Sequence, residues 1–78
     1  MSKRVKVYST SACPYCAMVK AFLKEKNILF EDVDVGTNPE AVKEMIEKSG
    51  QMGVPVIDIE GKIILGFNKE AISRELGI

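Results

Sequence analysis

Two cysteines separated by two residues are the part of the sequence best suited to chemistry. They stand in the run Cys13-Pro14-Tyr15-Cys16, and the chain has no other cysteine and no histidine. A bridge over so short a segment stabilises a fold little, because the stabilisation grows with the length of the closed loop. The spacing therefore predicts thiols that exchange disulfides with a partner, and such transient disulfides are typical of cytoplasmic proteins.

The position of Cys13 before Pro14 predicts which of the two sulfurs attacks. Proline suits the first position of a helix, which makes Cys13 its N-cap. An N-cap side chain accepts from the backbone N–H two or three residues on, here those of Tyr15 and Cys16. These donors and the helix dipole favour a sulfur anion, the nucleophile of disulfide exchange. We expect Cys13 to attack a partner disulfide and Cys16, one turn further along, to resolve the mixed disulfide.

Other interpretations of the two thiols stay open at this point. A structural disulfide or an unreactive pair would leave the chain as an interaction module that reduces nothing. A zinc site is a weaker alternative, since two sulfurs supply half of a tetrahedral ligand set and no histidine completes it within one chain. No metal site is therefore predicted.

Length and composition indicate one globular domain over residues 1–78. Hydrophobic residues make up 46% of the chain and charged residues 28%, an ordinary balance for a globular protein. No apolar run approaches the roughly 18 residues that cross a membrane, and the basic start alternates like a strand rather than resembling a signal peptide. Eleven basic residues balance eleven acidic ones, which argues against nucleic acid and membrane surfaces as partners. We expect a cytoplasmic monomer.

The elements that position the cysteines are predicted in the order β-α-β-α-β-β-α. Strands are predicted at residues 3–8, 28–35, 54–59 and 62–65, and the first helix at residues 14–26. The last helix lies between Asn68, its N-cap, and Gly77. The first βαβ unit should pair its strands in parallel with a right-handed crossover. The fold class is thus α/β, a four-stranded mixed sheet with helices on both faces.

The start of the second helix has two interpretations. Thr37 and Glu40 fit a capping box, and alternatively Asn38 is the N-cap with Pro39 in the first helical position. Ser49-Gly50 ends the helix in either case. The side chains predicted to face the core from the three helices and the second strand are Val19, Phe22, Leu23, Phe30, Val33, Val35, Val42, Met45, Ile46, Ala71, Ile72 and Leu76.

Pro55 lies at the start of the predicted third strand, where proline is tolerated because its missing N–H breaks no hydrogen bond of the ladder. From the residues alone its peptide bond is expected to be trans, since only about 5–6% of X–Pro bonds are cis. Tyr15 and Phe67 are candidates for contact with a partner. An exposed aromatic at a helix start and a simple core residue are the alternatives for them.

These residues together resemble the glutaredoxin family. The resemblance covers nearly the whole chain and rests on Cys13-Pro14-Tyr15-Cys16 after a strand, Val54-Pro55 some forty residues on, and Gly66 after a hairpin. It implies a thioredoxin-like fold with sheet order 2-1-3-4. It also implies that Cys13 and Cys16 form a redox-active disulfide and that Pro55 is a cis-proline facing them. The backbone of Val54 would then pair with an extended substrate.

The resemblance also indicates a wider substrate surface and a source of electrons. Tyr15, Gly66, Phe67 and Asn68 are the further candidates for substrate binding. No cofactor is expected to stay bound, and glutathione or thioredoxin reductase would supply the electrons. The partners implied are disulfide-containing proteins, glutathione and, in one branch of the family, ribonucleotide reductase.

Three departures from the family pattern bear on the electron source. Thr10 stands where many members carry a lysine that binds a glutathione carboxylate, and Gly53 replaces a common threonine. Asn68-Lys69 stands where glutathione-binding members tend to carry two acidic residues. The segment from Gly66 instead resembles the redoxins that serve ribonucleotide reductase and are recharged by thioredoxin reductase.

The main hypothesis is a general dithiol–disulfide oxidoreductase of glutaredoxin-like type. One alternative is a dedicated electron donor to ribonucleotide reductase. Another, from a different class, is an iron–sulfur carrier in which two chains each give Cys13 and glutathione gives the other thiols. Pro14 disfavours that carrier, because members that bind a cluster tend to have a small or polar residue there.

Overall fold

Over residues 4–78 the chain forms four strands and three helices in the predicted order. The computed structural model describes residues 4–78. The elements are β1 (Val5–Ser9), α1 (Pro14–Glu25), β2 (Glu31–Asp34), α2 (Pro39–Ser49), β3 (Val56–Ile59), β4 (Lys62–Leu65) and α3 (Lys69–Leu76). The predicted start of the first strand at Lys3 lies outside the described residues.

The strands form one mixed sheet in the order β2-β1-β3-β4. β1 and β2 are parallel, while β3 is antiparallel to both β1 and β4. The order implied by the family resemblance is therefore confirmed. Because of the antiparallel pairings, Val56 at the start of β3 lies opposite Tyr8 near the end of β1 and Leu65 at the end of β4. The loops that carry the dithiol, Pro55 and Gly66 thus meet at one end of the sheet.

Each face of the sheet packs against helices and forms its own apolar cluster. On one face, side chains of the sheet, α1 and α3 form a cluster that contains Val5, Val7, Val19, Phe22, Leu23, Ile57, Ile59, Ile64 and Ile72. On the other face, side chains of α2 and of that side of the sheet form a cluster that contains Tyr8, Val35, Ala41, Met45 and Val56. The placement of helices on both faces is as predicted, since apolar side chains on both sides of a central strand must be buried.

The second helix begins in the second of the two predicted ways. The Asn38 side chain accepts the backbone N–H groups of Glu40 and Ala41 at 3.1 and 3.3 Å, and Pro39 is the first helical residue. Thr37 does not cap the helix, because its hydroxyl donates to Asp34 at 3.3 Å instead. Both Asn and Thr suit this role, but only one can sit directly before the proline.

The second strand is shorter than predicted, Glu31–Asp34 rather than residues 28–35. The preceding helix ends in a turn with Asn27 at φ 58°, and the N–H of Ile28 donates back to Leu23 O at 2.9 Å. Ile28 and Phe30 therefore pack against the cluster that contains Phe22 and Leu23 without joining the ladder, while Leu29 is exposed. β3 likewise begins at Val56, two residues later than predicted.

Half of the twelve predicted core residues are buried, namely Val19, Phe22, Leu23, Val35, Met45 and Ile72. The other half are only partly buried, namely Phe30, Val33, Val42, Ile46, Ala71 and Leu76. Ala41, which was not predicted, is buried beside Met45 on the inner face of α2.

A polar cluster joins α2 to the sheet on the face away from α1. Lys48 Nζ donates to Asp58 Oδ2 at 2.6 Å and to the Tyr8 hydroxyl at 3.0 Å, and that hydroxyl donates to Glu44. The hydrogen bond with Asp58, followed by that with Tyr8, raises the pKa of Lys48. Burial opposes ionisation of Asp58, but the bonds from Lys48 and the Gly61 N–H lower its pKa. The cluster therefore supplies the buried Asp58 carboxylate with a counter-charge from the more exposed Lys48.

Candidate active site

Cys13 lies at the N-terminus of α1, as its position before Pro14 predicts. Its backbone is extended (φ −98°, ψ 111°), and its Sγ accepts the backbone N–H of Cys16 at 3.3 Å. Only this amide caps the sulfur, so the prediction that the N–H of Tyr15 also donates is wrong. The Cys13 sulfur therefore caps α1 through the N–H of its third residue.

Cys16 lies one turn further along α1 and differs from Cys13 in exposure. Only 1% of its surface is exposed, whereas Cys13 is half-buried, and both are free thiols in this structure. Burial, and after it the hydrogen bond with Cys13, raises the pKa of the Cys16 thiol to about 11. Cys16 is therefore protonated at neutral pH, and Cys13 is the more accessible of the two sulfurs.

A polar network beside Cys16 is assembled from three elements. Lys20 of α1 forms an ion pair with Asp32 of β2 at 2.9 Å, and the buried Ser9 hydroxyl of β1 donates to the same carboxylate at 2.9 Å. Partial burial opposes ionisation of Asp32, yet the bonds from Lys20 and Ser9 lower its pKa. The charged carboxylate thus holds Lys20 in place, and the Lys20 charge acts to lower the pKa of Cys16.

Lys20 was missed by the sequence analysis. The signal was present, since residues four apart lie on the same side of a helix and Lys20 follows Cys16 at that spacing. Asp32 and Ser9 could not be found in this way, because their contact with Lys20 depends on the parallel pairing of β1 with β2.

The loop before β3 faces the dithiol. Its Val54–Pro55 peptide bond is cis, as the family resemblance implies and contrary to the expectation from the residues alone. The Cys13 thiol donates to Val54 O at 3.9 Å, and the N–H of Gly66 donates to Pro55 O at 3.0 Å. The structure therefore brings Cys13, Val54, Pro55 and Gly66 together at one end of the sheet.

The side chains of the other predicted substrate-binding residues differ in how accessible they are to a ligand. Tyr15 is 60% exposed beside Cys13. Phe67 is half-buried and packs edge-on against Phe22, with ring centroids 6.3 Å apart. The side chain of Asn68 caps α3, accepting the N–H of Ala71 at 3.1 Å. Tyr15 is thus an accessible surface, while Asn68 is already engaged within its own helix.

Lys69 lies over the two aromatic rings next to the start of α3. Its Nζ is 5.6 Å from the ring centroid of Phe67 and 5.8 Å from that of Phe22. Distances of this order allow a cation–π attraction. A positive charge is therefore held beside the segment that follows Gly66.

Searches for membrane-spanning helices and metal clusters were negative within residues 4–78. None of the helices described there has the length and apolar character needed to span a bilayer. Over the same residues, no three side chains of the His, Cys, Asp and Glu types are grouped so as to hold a metal ion.

The fold and the paired thiols define the class of protein. The sheet order, the two-sided helix packing and the dithiol at a helix start are those of a thioredoxin-like fold. Among solved structures, the thioredoxin-like protein BC3987 superposes with a TM-score of 0.86 at 30% identity, covering 92% of this chain and 99% of that one. The glutaredoxin-like protein NrdH-redoxin from Escherichia coli gives a TM-score of 0.80 at 27% identity, covering 91% and 92% of the two chains.

The chain belongs to the glutaredoxin family. The family model described as Glutaredoxin matches residues 5–64. A glutaredoxin-like 8.6 kDa protein encoded in the rubredoxin operon of Clostridium pasteurianum, itself uncharacterised, is 50% identical over 70 residues, 90% of this chain and 93% of that protein. The family resemblance predicted from the sequence is thereby confirmed, and the chain is a small protein of the thiol–disulfide oxidoreductase class.

Proposed function

We propose that the protein reduces protein disulfides by a dithiol cycle in which Cys13 attacks and Cys16 resolves. The single observation that carries this assignment is the contrast between the two sulfurs: Cys13 is the accessible N-cap of α1, and Cys16 is buried beneath it. An attacking thiol must be reached by the substrate, and the N-terminus of α1 directs a backbone N–H and the positive end of the helix dipole at the accessible Cys13 sulfur.

The bonds, protons and electrons of the proposed cycle balance without a bound cofactor. The Cys13 thiolate bonds to one sulfur of the substrate disulfide, and the other sulfur leaves as a thiolate that takes up a proton. Cys16 then loses its proton and attacks Cys13, which releases the first substrate sulfur as a second thiol. The substrate gains two electrons, and the protein is left with a Cys13–Cys16 disulfide.

The surface around Cys13 supports binding of an extended substrate segment. Val54 precedes the first residue of β3, and its carbonyl lies 3.9 Å from the Cys13 sulfur. A substrate strand that pairs with the Val54 backbone would place its own sulfur close to Cys13. The exposed Tyr15 ring, two residues after Cys13, offers an apolar contact to that segment.

The resolving step is predicted to depend on Lys20. Replacement of Lys20 by methionine removes the positive charge that acts to lower the pKa of Cys16, so less Cys16 thiolate is present at neutral pH. Because one pKa unit corresponds to a factor of ten in thiolate, we expect the step to slow by about threefold to tenfold and its pH profile to shift upward. Stopped-flow release of thionitrobenzoate from the Cys13 mixed disulfide measures that step alone.

Two matched variants control this prediction. Lys20→Arg keeps the charge and should keep the rate, while Lys24→Met removes a lysine from the next turn of the same helix. Equal slowing by Lys24→Met, or an unchanged profile in Lys20→Met, would show that Lys20 does not influence Cys16.

Thioredoxin reductase is proposed as the better electron source than glutathione. Asn68 and Lys69 stand where two acceptors for the glutathione amine would be expected from the family. The Asn68 oxygen already caps α3, and the Lys69 ammonium beside the Phe67 ring adds a positive charge that repels the amine. The solved relative from Escherichia coli is described as having a thioredoxin-like activity profile, which supports the same preference here.

The preference is tested by offering the oxidised protein each reductant separately. With NADPH consumption as the readout, turnover with thioredoxin reductase should exceed turnover with glutathione and glutathione reductase. The double variant Asn68→Asp/Lys69→Asp should raise the glutathione-dependent rate, because aspartate still caps the helix and now attracts the amine. Efficient use of glutathione by the unmodified protein, with little use of the flavoprotein, would overturn the preference and leave the dithiol cycle intact.

A further inference from the structure

We propose that a groove between α1 and α3 binds an acidic segment of the protein whose disulfide is reduced. The groove has a volume of about 560 Å³, and Lys26, Lys69 and Arg74 line it around the ring of Phe22. Glu70 is the one acidic side chain in its lining. We call this surface the cationic groove.

The three cations of the cationic groove outnumber the one acidic side chain in its lining. The Nζ atoms of Lys26 and Lys69 lie 6.0 and 5.8 Å from the ring centroid of Phe22, so two like charges share one ring. Within residues 4–78, the ion pairs that form involve Lys6, Lys20 and Lys48 and none of the three groove cations.

A carboxylate-bearing ligand fits this charge arrangement. The chain as a whole has no net charge, so an excess of cations at one place is a local feature of the surface. Carboxylates that enter the cationic groove would relieve the repulsion between the two ammonium groups, and the partly desolvated ring strengthens the attraction. The apolar parts of Phe22 and of the lysine stems give the same segment a surface to cover.

The cationic groove is continuous with the reactive end of the molecule. The Phe67 ring contacts Phe22 at its floor, and the residue before it, Gly66, donates to Pro55 O in the loop that faces Cys13. A substrate segment that runs from Cys13 past Gly66 and Phe67 would reach the groove at Phe22 and Lys69.

The fold also sets how far the acidic residues must lie from the substrate cysteine. Phe22 is nine residues after Cys13 along α1, about 13 Å at the helical rise of 1.5 Å per residue. An extended peptide covers that distance in about four residues at 3.3 Å each. Glutamates four to six residues from the substrate cysteine should reach the cationic groove.

The inference rests on the proposed disulfide reduction, and one experiment separates the two. Two synthetic peptides, each oxidised to a disulfide-linked dimer, carry either three glutamates or three glutamines at positions four to six from the cysteine. The reduced protein should reduce the glutamate peptide about threefold to tenfold faster in kcat/KM at low ionic strength, the scale of a few exposed ion pairs. In 0.5 M NaCl this advantage should largely disappear.

Charge-matched variants identify the surface responsible. Lys26→Gln/Arg74→Gln should lose most of the advantage of the glutamate peptide and keep the rate on the glutamine peptide. Arg4→Gln/Lys43→Gln removes the same charge from residues that do not line the groove and should behave like the unmodified protein. Equal rates on the two peptides, or equal losses in both variants, would overturn the inference, whereas no reduction of either peptide would refute the proposed function itself.

Discussion

Replacement of Cys13 by serine is expected to abolish disulfide reduction. A serine hydroxyl stays protonated at neutral pH even at the N-terminus of α1, and it cannot form the mixed disulfide on which the cycle depends. We expect a loss of at least about 10³-fold, the scale seen when an enzyme loses its nucleophile. Reduction of insulin disulfides, followed by turbidity, measures the effect.

The matched variant Cys16→Ser should fail at a different step. Its Cys13 can still attack, but the mixed disulfide has no buried thiol to resolve it and should accumulate. Intact-mass spectrometry would then find the protein carrying one substrate thiol, and Cys13→Ser would carry none. Accumulation of a mixed disulfide on Cys16 in Cys13→Ser, or faster alkylation of Cys16 than of Cys13 near neutral pH, would reverse the two roles.

The parts of the fold that local chemistry determines were predictable. Pro14 after Cys13 identified the start of α1, and Asn38 before Pro39 identified one of two possible starts of α2. β4 was predicted without error at Lys62–Leu65. Its hairpin turn places Glu60 and Gly61 at φ 50° and 93°, conformations that the pair could be expected to adopt in a tight turn.

The failures concern features that depend on contacts between distant segments. The apolar residues after Asn27 have strand propensity, yet they stay outside β2 because the helix finishes in a left-handed turn. Glu44 and Lys48 pair at 3.9 Å, as their helical spacing allows. The shorter hydrogen bonds of Lys48 to Asp58 and Tyr8 on the sheet were not predicted. The periodicity of a sequence indicates which face of a helix is buried. It does not indicate which residues of other elements a side chain on that helix contacts.

The residues of the candidate site also divide into those that local sequence predicts and those that depend on contacts between distant segments. The nucleophile could be inferred from its place in the helix, whereas the cis bond before Pro55 was implied only by the family resemblance. Lys20 beside Cys16 follows from helical spacing once the burial of Cys16 is known. Its partner Asp32 is known only from the structure.

Replacement of Lys48 by methionine is expected to destabilise the fold by about 2 kcal/mol. Lys48 is the cation that neutralises Asp58, which is 7% exposed and otherwise receives only the Gly61 N–H at 2.8 Å. Loss of one partner leaves a buried carboxylate without its counter-charge, a change that costs more than the pair itself contributes. The midpoint of urea unfolding at pH 7 measures the loss. Lys43→Met, on the exposed side of the same helix, should change it by less than about 0.5 kcal/mol.

The pH dependence of this loss distinguishes charge from packing. Because Lys48 and the Gly61 N–H lower the pKa of Asp58 in the folded state, the stability that this carboxylate contributes is present above its unfolded pKa of about 3.9 and is lost as pH falls through the folded value. The gap in free energy of unfolding between the unmodified protein and Lys48→Met should therefore narrow from pH 7 to pH 3, as Asp58 takes up a proton. The double variant Lys48→Met/Asp58→Asn should be more stable than Lys48→Met alone at pH 7, since a neutral amide needs no counter-charge. A gap that stays constant with pH, with no recovery in the double variant, would mean that Lys48 stabilises the fold through the packing of its methylene chain and not through its charge.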